Sequence, residues 1–117
     1  MLILCYPKCT TCQKAVGYLK EKGVSFEERN IKENNPTAQE ISAWQKKSGL
    51  GLQKFFNTSG LQYRALGLKD KLPSMSEEEM LSLLATDGML VKRPILVLDE
   101  KVLVGFKADA WETALAD

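Results

Sequence analysis

The chain has 117 residues, of which 44% are hydrophobic and 26% are charged, so it predicts one globular domain with its own core and argues against disorder. The chain has sixteen lysines and arginines and fifteen acidic residues. This near-neutral charge predicts that the protein binds neither nucleic acid directly nor a membrane surface. No apolar run reaches the roughly 20 residues of a membrane span, and the N-terminus does not resemble a signal peptide, so we predict a cytoplasmic protein.

The N-terminal third predicts a βαβ unit. Leu2–Cys5 is a short apolar run that indicates a first strand. A helical pattern begins at Thr10 and ends before Gly23, which fits the C′ position of a helix. The alternation that follows, from Val24 through about Arg29, predicts a second strand. A strand, a helix and a strand within about thirty residues indicate parallel strands with a right-handed crossover.

The rest of the chain predicts a helical block, a hairpin and a closing helix. Capping boxes mark two helix starts, one at Thr37 with Glu40 and one at Ser76 with Glu79, and short helical turns lie between them. Two apolar runs joined by a polar turn then predict an antiparallel hairpin. Ala108–Ala116 predicts the last helix.

The order of these elements is the thioredoxin-like arrangement with extra helices between its two halves. We therefore predict an α/β fold of the thioredoxin or glutaredoxin type, with a four-stranded mixed sheet and a helical insertion over about residues 36–90. No linker, repeat or low-complexity segment divides the chain, which indicates a single domain over residues 1–117.

Three cysteines, Cys5, Cys9 and Cys12, carry the most distinctive chemistry of the sequence. In the cytoplasm, clustered cysteines are more often redox-active or metal-binding than structural. An iron–sulfur cluster is disfavoured because Cys5 ends an apolar strand and the chain is short. Zinc is disfavoured because there is neither a histidine nor a second C-x-x-C motif to supply a fourth ligand. We expect no metal and no tightly bound cofactor.

A redox pair fits the predicted local structure better. Cys9 lies where the loop after the first strand becomes the helix, so its sulfur faces unpaired backbone N–H groups and the positive end of the helix dipole, which favour a thiolate. Cys12 lies one helical turn further on the same face, where it can resolve a mixed disulfide formed at Cys9. The alternative is a pair of unreactive thiols.

Cys5 is interpreted as a small buried hydrophobic residue. We therefore predict that mild oxidation links Cys9 to Cys12 and leaves Cys5 free, because Cys5 should be both buried and farther away. Arg93 stands before Pro94 and the third strand, where its guanidinium would support the thiolate and bind an anionic substrate. The alternative for Arg93 is a solvated surface side chain.

The sequence resembles the arsenate reductase (ArsC)/Spx family over essentially its whole length. The segments that carry the resemblance are YPKCTTCQKA, NTSGLQYRALGL, SEEEMLSLLATDGMLVKRPIL and VLVGFKADAWE. It is similar in particular to small bacterial members of that family with a C-x-x-C motif. The resemblance implies the thioredoxin-like fold with inserted helices, a cis-Pro94 and Cys9 as the nucleophile.

Glutathione-dependent arsenate reductases of this family have one loop cysteine followed by Gly-Thr-Ser, and three arginines that hold the oxyanion. Arg93 matches one of these arginines. The other two positions hold Asn57 and Gly105, with Arg64 and Lys107 nearby. Each charge-assisted hydrogen bond contributes about 1.5–3 kcal/mol, so we do not expect efficient arsenate reduction, and a glutathione-dependent arsenate reductase stays as an alternative.

The regulator Spx, which binds RNA polymerase, has a C-T-S-C motif similar to the segment from Cys9 to Cys12, and Gly51 matches a glycine of its polymerase contact. The basic segment that follows in Spx reads here as the neutral NTSG. A redox-sensing regulator that binds the RNA polymerase α subunit therefore stays as an alternative.

The residues and the resemblance together predict a thiol–disulfide oxidoreductase or reductase-like protein in which Cys9 attacks, Cys12 resolves and Arg93 supports the thiolate. The predicted substrate-binding residues are Lys8, Thr10, Thr11, Asn57, Arg64 and Pro94. The expected co-substrate is glutathione or another low-molecular-weight thiol. The expected partners are a small thiol or a protein disulfide, including thioredoxin or glutaredoxin.

Overall fold

The computed structural model describes residues 1–116 and has a four-stranded mixed sheet at its centre. Strand β1 (Leu2–Cys5) pairs in parallel with β2 (Glu27–Asn30) and antiparallel with β3 (Ile95–Val97). Strand β3 pairs antiparallel with β4 (Val102–Val104), so the order across the sheet is β2-β1-β3-β4. The predicted βαβ unit and hairpin are therefore confirmed, and β1 and β3 join them.

Helices cover both faces of this sheet. Their bounds are Thr10–Glu21 (α1), Ala38–Ser48 (α2), Leu61–Ala65 (α3), Leu68–Lys71 (α4), Glu77–Leu84 (α5) and Ala108–Leu115 (α6). The residues of α1 and α6 pack around Ile3 and Leu96, whereas the inserted block from α2 to α5 packs around Leu4 and Ile95. Alternate residues of β1 and of β3 thus face opposite layers, as the two-residue period requires. Within residues 1–116, no helix has the length and apolar character needed to cross a bilayer.

The two predicted capping boxes are both present. Thr37 Oγ1 accepts from the Glu40 N–H at 3.1 Å, and the Glu40 carboxylate accepts from the Thr37 N–H at 3.0 Å. Ser76 and Glu79 repeat the arrangement at 3.1 and 2.9 Å. Helix α2 ends at Gly49, which has a φ of 71°, a conformation that glycine adopts without a Cβ clash.

The second strand begins later than its sequence pattern predicts. Strand β1 starts at Leu2, which pairs with Glu27, so the backbone before Glu27 has no strand beside it. Val24 and Phe26 are half-buried nonetheless, because their side chains pack against the core beside α1. Their alternation therefore reflects burial without strand pairing.

Arg29 attaches the inserted block to the edge strand β2. Its guanidinium donates to both carboxylate oxygens of Glu40, at 2.7 and 2.9 Å, and also to the carbonyls of Asn34 and Asn35, at 2.9 and 3.2 Å. The group lies 6.0 Å from the centre of the Trp44 ring. Planar bidentate pairing of this kind fixes the orientation of both partners.

A buried glycine closes the block against the same strand end. Gly88 is packed so tightly that a Cβ added to it would overlap the carbonyl group of Ile31. Close by, the Asn35 side chain donates to the Ala85 carbonyl at 2.7 Å. The backbone after β2 therefore packs directly against the residues that precede β3.

Candidate active site

Cys9 is the N-cap residue of α1. Its backbone is extended, its N–H donates to the Tyr6 carbonyl at 3.0 Å, and its carbonyl accepts the first helical hydrogen bond from Gln13 at 3.0 Å. The side chain makes no capping hydrogen bond and is half-buried. Its sulfur is therefore at the positive end of the α1 dipole and within reach of small molecules.

Cys12 is the central sulfur of the three. It is only 1% exposed, and the Tyr6 N–H donates to its Sγ at 3.4 Å. Its pKa is lowered to about 6, chiefly because the Cys5 thiol donates a hydrogen bond to it. Burial acts in the opposite direction, while the Tyr6 N–H, the Cys9 thiol and the charge of Arg93 lower the pKa further. These interactions favour the thiolate form of Cys12.

Cys5 is buried at the end of β1, as expected. It is not separate from the pair, however, because it shares a buried core cluster with Cys12 and lines the same cleft. Its hydrogen bond with Cys12, then burial, then the negative charge of Cys12 raise the pKa of Cys5, which keeps it protonated. All three cysteines are free thiols. Within residues 1–116 there is no group of three or more cysteines, aspartates and glutamates placed to hold a metal ion.

Arg93 brings an unpaired cation to this cluster. Its Nε and Nη1 atoms are buried and have no hydrogen-bond partner among residues 1–116. The guanidinium lies 5.4 Å from the centre of the Tyr6 ring, and its charge lowers the pKa of Cys12. The Arg93–Pro94 bond is cis, as the family resemblance implied. Arg93 also lines the groove onto which Cys9 opens, so its charge can attract an anion there.

Cys9 opens onto a groove of about 1120 Å³. Among the residues that line it, five are cations and one is an acid, Asp87. The cations are Lys32, Lys54, Lys92, Arg93 and Lys107. The groove is therefore basic although the chain as a whole is almost neutral, and low-dielectric walls strengthen the attraction of such a cleft for anions.

The structure brings only some of the predicted site residues to this groove. Cys9, Thr11, Asn57 and Arg93 line it. Pro94 is buried directly after Arg93, and Cys12 is buried beneath Cys9. Lys8, Thr10 and Arg64 are exposed and are not among the lining residues.

Several lining residues were absent from the prediction. Lys32 follows β2, and the carboxyl ends of parallel β1 and β2 meet at one edge of the sheet. The predicted βαβ unit therefore contained the signal for Lys32. Lys92 adjoins Arg93, and Lys107 comes two residues after Gly105, whose N–H donates to the Pro94 carbonyl at 2.8 Å. That hydrogen bond joins the two backbone segments that carry these lysines.

The mixed four-stranded sheet, the C-x-x-C pair at the start of its first helix, the cis-proline before the third strand and the inserted helices define a class of thioredoxin-like folds. Within that class, the chain belongs to the ArsC family, whose model matches residues 4–114.

Relatives of known sequence or structure agree with this assignment. YusI of Bacillus subtilis (strain 168) is 56% identical over 107 residues, which are 92% of this chain and 91% of YusI. The Regulatory protein MgsR of the same strain is 31% identical over 101 residues, covering 86% of this chain and 79% of MgsR. A crystal structure of a Bacteroides fragilis protein, described as related to the ArsC family, superposes with a TM-score of 0.94 at 53% identity, over 96% of this chain and 94% of that one.

Proposed function

We propose that the protein is a thiol–disulfide oxidoreductase in which Cys9 attacks a disulfide and Cys12 resolves the product. The observation that carries the proposal is the position of Cys9, which starts α1 on a basic groove that Arg93 also lines, with the buried Cys12 one helical turn further on. Nucleophile, resolving group and anion-binding group are thus adjacent in one site.

In this proposal, the Cys12 thiolate explains how Cys9 is activated although the chain has no histidine. Cys12 has a pKa of about 6 but is too buried to meet an external substrate. Cys9 is among the groups that lower the pKa of Cys12, and in the proposed reaction the Cys9 proton passes to Cys12 as Cys9 attacks. Cys12 therefore acts first as a base and afterwards as a nucleophile.

The reaction consists of two thiol–disulfide exchanges. Cys9 attacks one sulfur of the substrate disulfide, forming a mixed disulfide and releasing the other half as a thiolate, which takes the proton from Cys12. The Cys12 thiolate then attacks the Cys9 sulfur. The mixed disulfide breaks, a Cys9–Cys12 disulfide forms and the second half leaves as a thiolate. Two molecules of a small thiol reduce the internal disulfide and are themselves oxidised to one disulfide.

The charge of the groove favours an anionic thiol compound. Glutathione carries two carboxylates and one ammonium group, so it is a net anion that the five cations would attract. One carboxylate can pair with the guanidinium of Arg93, which lines the groove. Glutathione, or a protein carrying it as a mixed disulfide, is therefore the proposed substrate class.

The test is to trap the mixed disulfide. Incubation of Cys12→Ser with glutathione disulfide should leave one glutathione on Cys9, detected by mass spectrometry, because the resolving sulfur is gone. The matched Cys9→Ser variant should retain none and should not release glutathione from a glutathionylated peptide. Turnover by Cys9→Ser at the wild-type rate would overturn the proposal.

A redox-controlled regulator is the second candidate function. The relationship to the Regulatory protein MgsR favours it, and so does the apolar rim of the groove, where Leu61 is 83% exposed. Binding of the purified RNA polymerase α subunit by one redox state alone would support this candidate. Arsenate reduction is not proposed, because Arg93 is the one arginine among the described residues that line the groove.

A further inference from the structure

The third cysteine has no part in the two-cysteine reaction, yet it contacts the site. Cys5 and Cys12 belong to one buried core cluster, and the interaction with Cys12 raises the pKa of the Cys5 thiol. Both line a second cleft of about 560 Å³ that is also lined by residues of α1 and β2. Cys9 does not line this cleft, and neither Cys5 nor Cys12 lines the basic groove. Cys12 therefore has Cys9 on the side of the basic groove and Cys5 on the side of the second cleft.

We infer that the disulfide first formed between Cys9 and Cys12 moves inward to join Cys5 and Cys12, which frees Cys9 to attack again. This inference rests on the proposed function. In the step, Cys5 Sγ attacks Cys12 Sγ, the Cys9–Cys12 bond breaks and the Cys5–Cys12 bond forms. Cys9 leaves as a thiolate and receives the proton that Cys5 loses. The number of disulfides does not change, so no oxidant or reductant is needed.

Oxidation of Cys12 removes the main obstacle to attack by Cys5. In the reduced protein, the hydrogen bond to Cys12 is the largest cause that raises the pKa of Cys5, and the charge of Cys12 adds to it. A disulfide sulfur has no charge, so both causes disappear once Cys12 is bonded to Cys9. The leaving sulfur of Cys9 is at the α1 N-terminus, which stabilises its negative charge.

The inward step changes the stoichiometry of oxidation. With two active cysteines, the reduced protein consumes one glutathione disulfide, releases two glutathiones and stops. With three, the freed Cys9 reacts with a second glutathione disulfide and retains one glutathione, because its resolving partner is already bonded. The end state then has an internal disulfide, a glutathione on Cys9 and three glutathiones released.

Peptide mapping of the oxidised wild-type protein separates the two schemes. Trypsin cleavage after Lys8 and Lys14 gives one peptide with Cys5 and another with both Cys9 and Cys12. After incubation with excess glutathione disulfide and alkylation of remaining thiols in denaturant, we expect the two peptides to be linked and the second to carry glutathione. Fragmentation should place that glutathione on Cys9.

The matched control is Cys5→Ala, which should form the Cys9–Cys12 disulfide, keep no glutathione and release two glutathiones instead of three. The wild-type mapping needs no variant, so a poorly folded Cys5→Ala would not affect the test. A wild-type protein with a Cys9–Cys12 bond and an alkylated Cys5 would overturn the inference while leaving the proposed function intact. Failure of the proposed function would show separately, as turnover by Cys9→Ser.

Discussion

Replacing Glu40 by Gln should make the free energy of unfolding less dependent on pH in the acid range. The Arg29 guanidinium holds the pKa of Glu40 at about 2, mainly through its hydrogen bonds; burial opposes this effect, and the Thr37 N–H supports it. A carboxyl whose pKa falls from 4.5 to about 2 contributes at most about 3 kcal/mol to the free energy of unfolding. The Glu40 side chain is 36% exposed, and solvent screening reduces the expected contribution to about 1–2 kcal/mol.

The sign of the effect follows from the lowered pKa. The contribution of Glu40 is fully present above its unfolded pKa of about 4.5, and it is lost as the pH falls towards about 2. Urea unfolding across this range should show wild type more stable than Glu40→Gln by about 1–2 kcal/mol near neutral pH, and the gap should close in acid. Glutamine retains the capping-box acceptor, so the difference isolates the charge.

Glu79→Gln is the matched control for this experiment. Glu79 occupies the same position in the second capping box, and the Ser76 N–H lowers its pKa, but it is fully exposed and no arginine is among the causes of that shift. Its substitution should therefore change the pH dependence less than the Glu40 substitution does. A gap between wild type and Glu40→Gln that stays constant from neutral pH down to the lowest pH would refute the argument from Arg29.

Other substitutions test the packing and the charge of the site. Gly88→Ala should cost more than about 3 kcal/mol in urea unfolding, because its methyl group would overlap a backbone carbonyl, whereas Gly17→Ala, with open space around it in α1, should gain about 0.5–1 kcal/mol. Tyr18→Phe should raise the unfolding midpoint, because it removes a buried hydroxyl that lacks a hydrogen-bond partner among residues 1–116. Arg93→Ala should slow the alkylation of Cys9 by iodoacetate more than by neutral iodoacetamide; equal slowing would place the guanidinium away from the reacting anion.

Most of the fold could be predicted because its signals are local. Each capping box specifies a helix start through two hydrogen bonds within four residues, and both are formed. The predicted start of β2 at Val24 was wrong because β2 can begin only where its partner strand β1 lies beside it. Leu2 sets that limit, and nothing in the segment from Val24 to Phe26 encodes it.

The site could be predicted in part. The proximity of Cys5 to Cys12 was not predicted, because it depends on the strand period of β1 and the helical period of α1 together. Cys5 shares a face of β1 with Ile3, and Cys12 shares a buried stripe of α1 with Ala15 and Leu19. Treated separately, each pattern predicts a buried residue. Only the packing of α1 on that face of the sheet brings the two sulfurs together, and this tertiary contact has no local signal.

The three sulfurs divide the chemistry according to their exposure. In the proposed reaction, Cys9 meets the substrate and Cys12 supplies the base, while Cys5 is the largest cause that lowers the pKa of Cys12. Because Cys12 acts as both base and resolving thiol, its oxidation also removes the base from Cys9. In the three-cysteine scheme, the first attack by Cys9 therefore depends on the ionisation of Cys12 near pH 6, and the second attack does not. The rate of the first glutathione release should rise with pH as Cys12 ionises. The rate of the last release should be slower and should not depend on that ionisation.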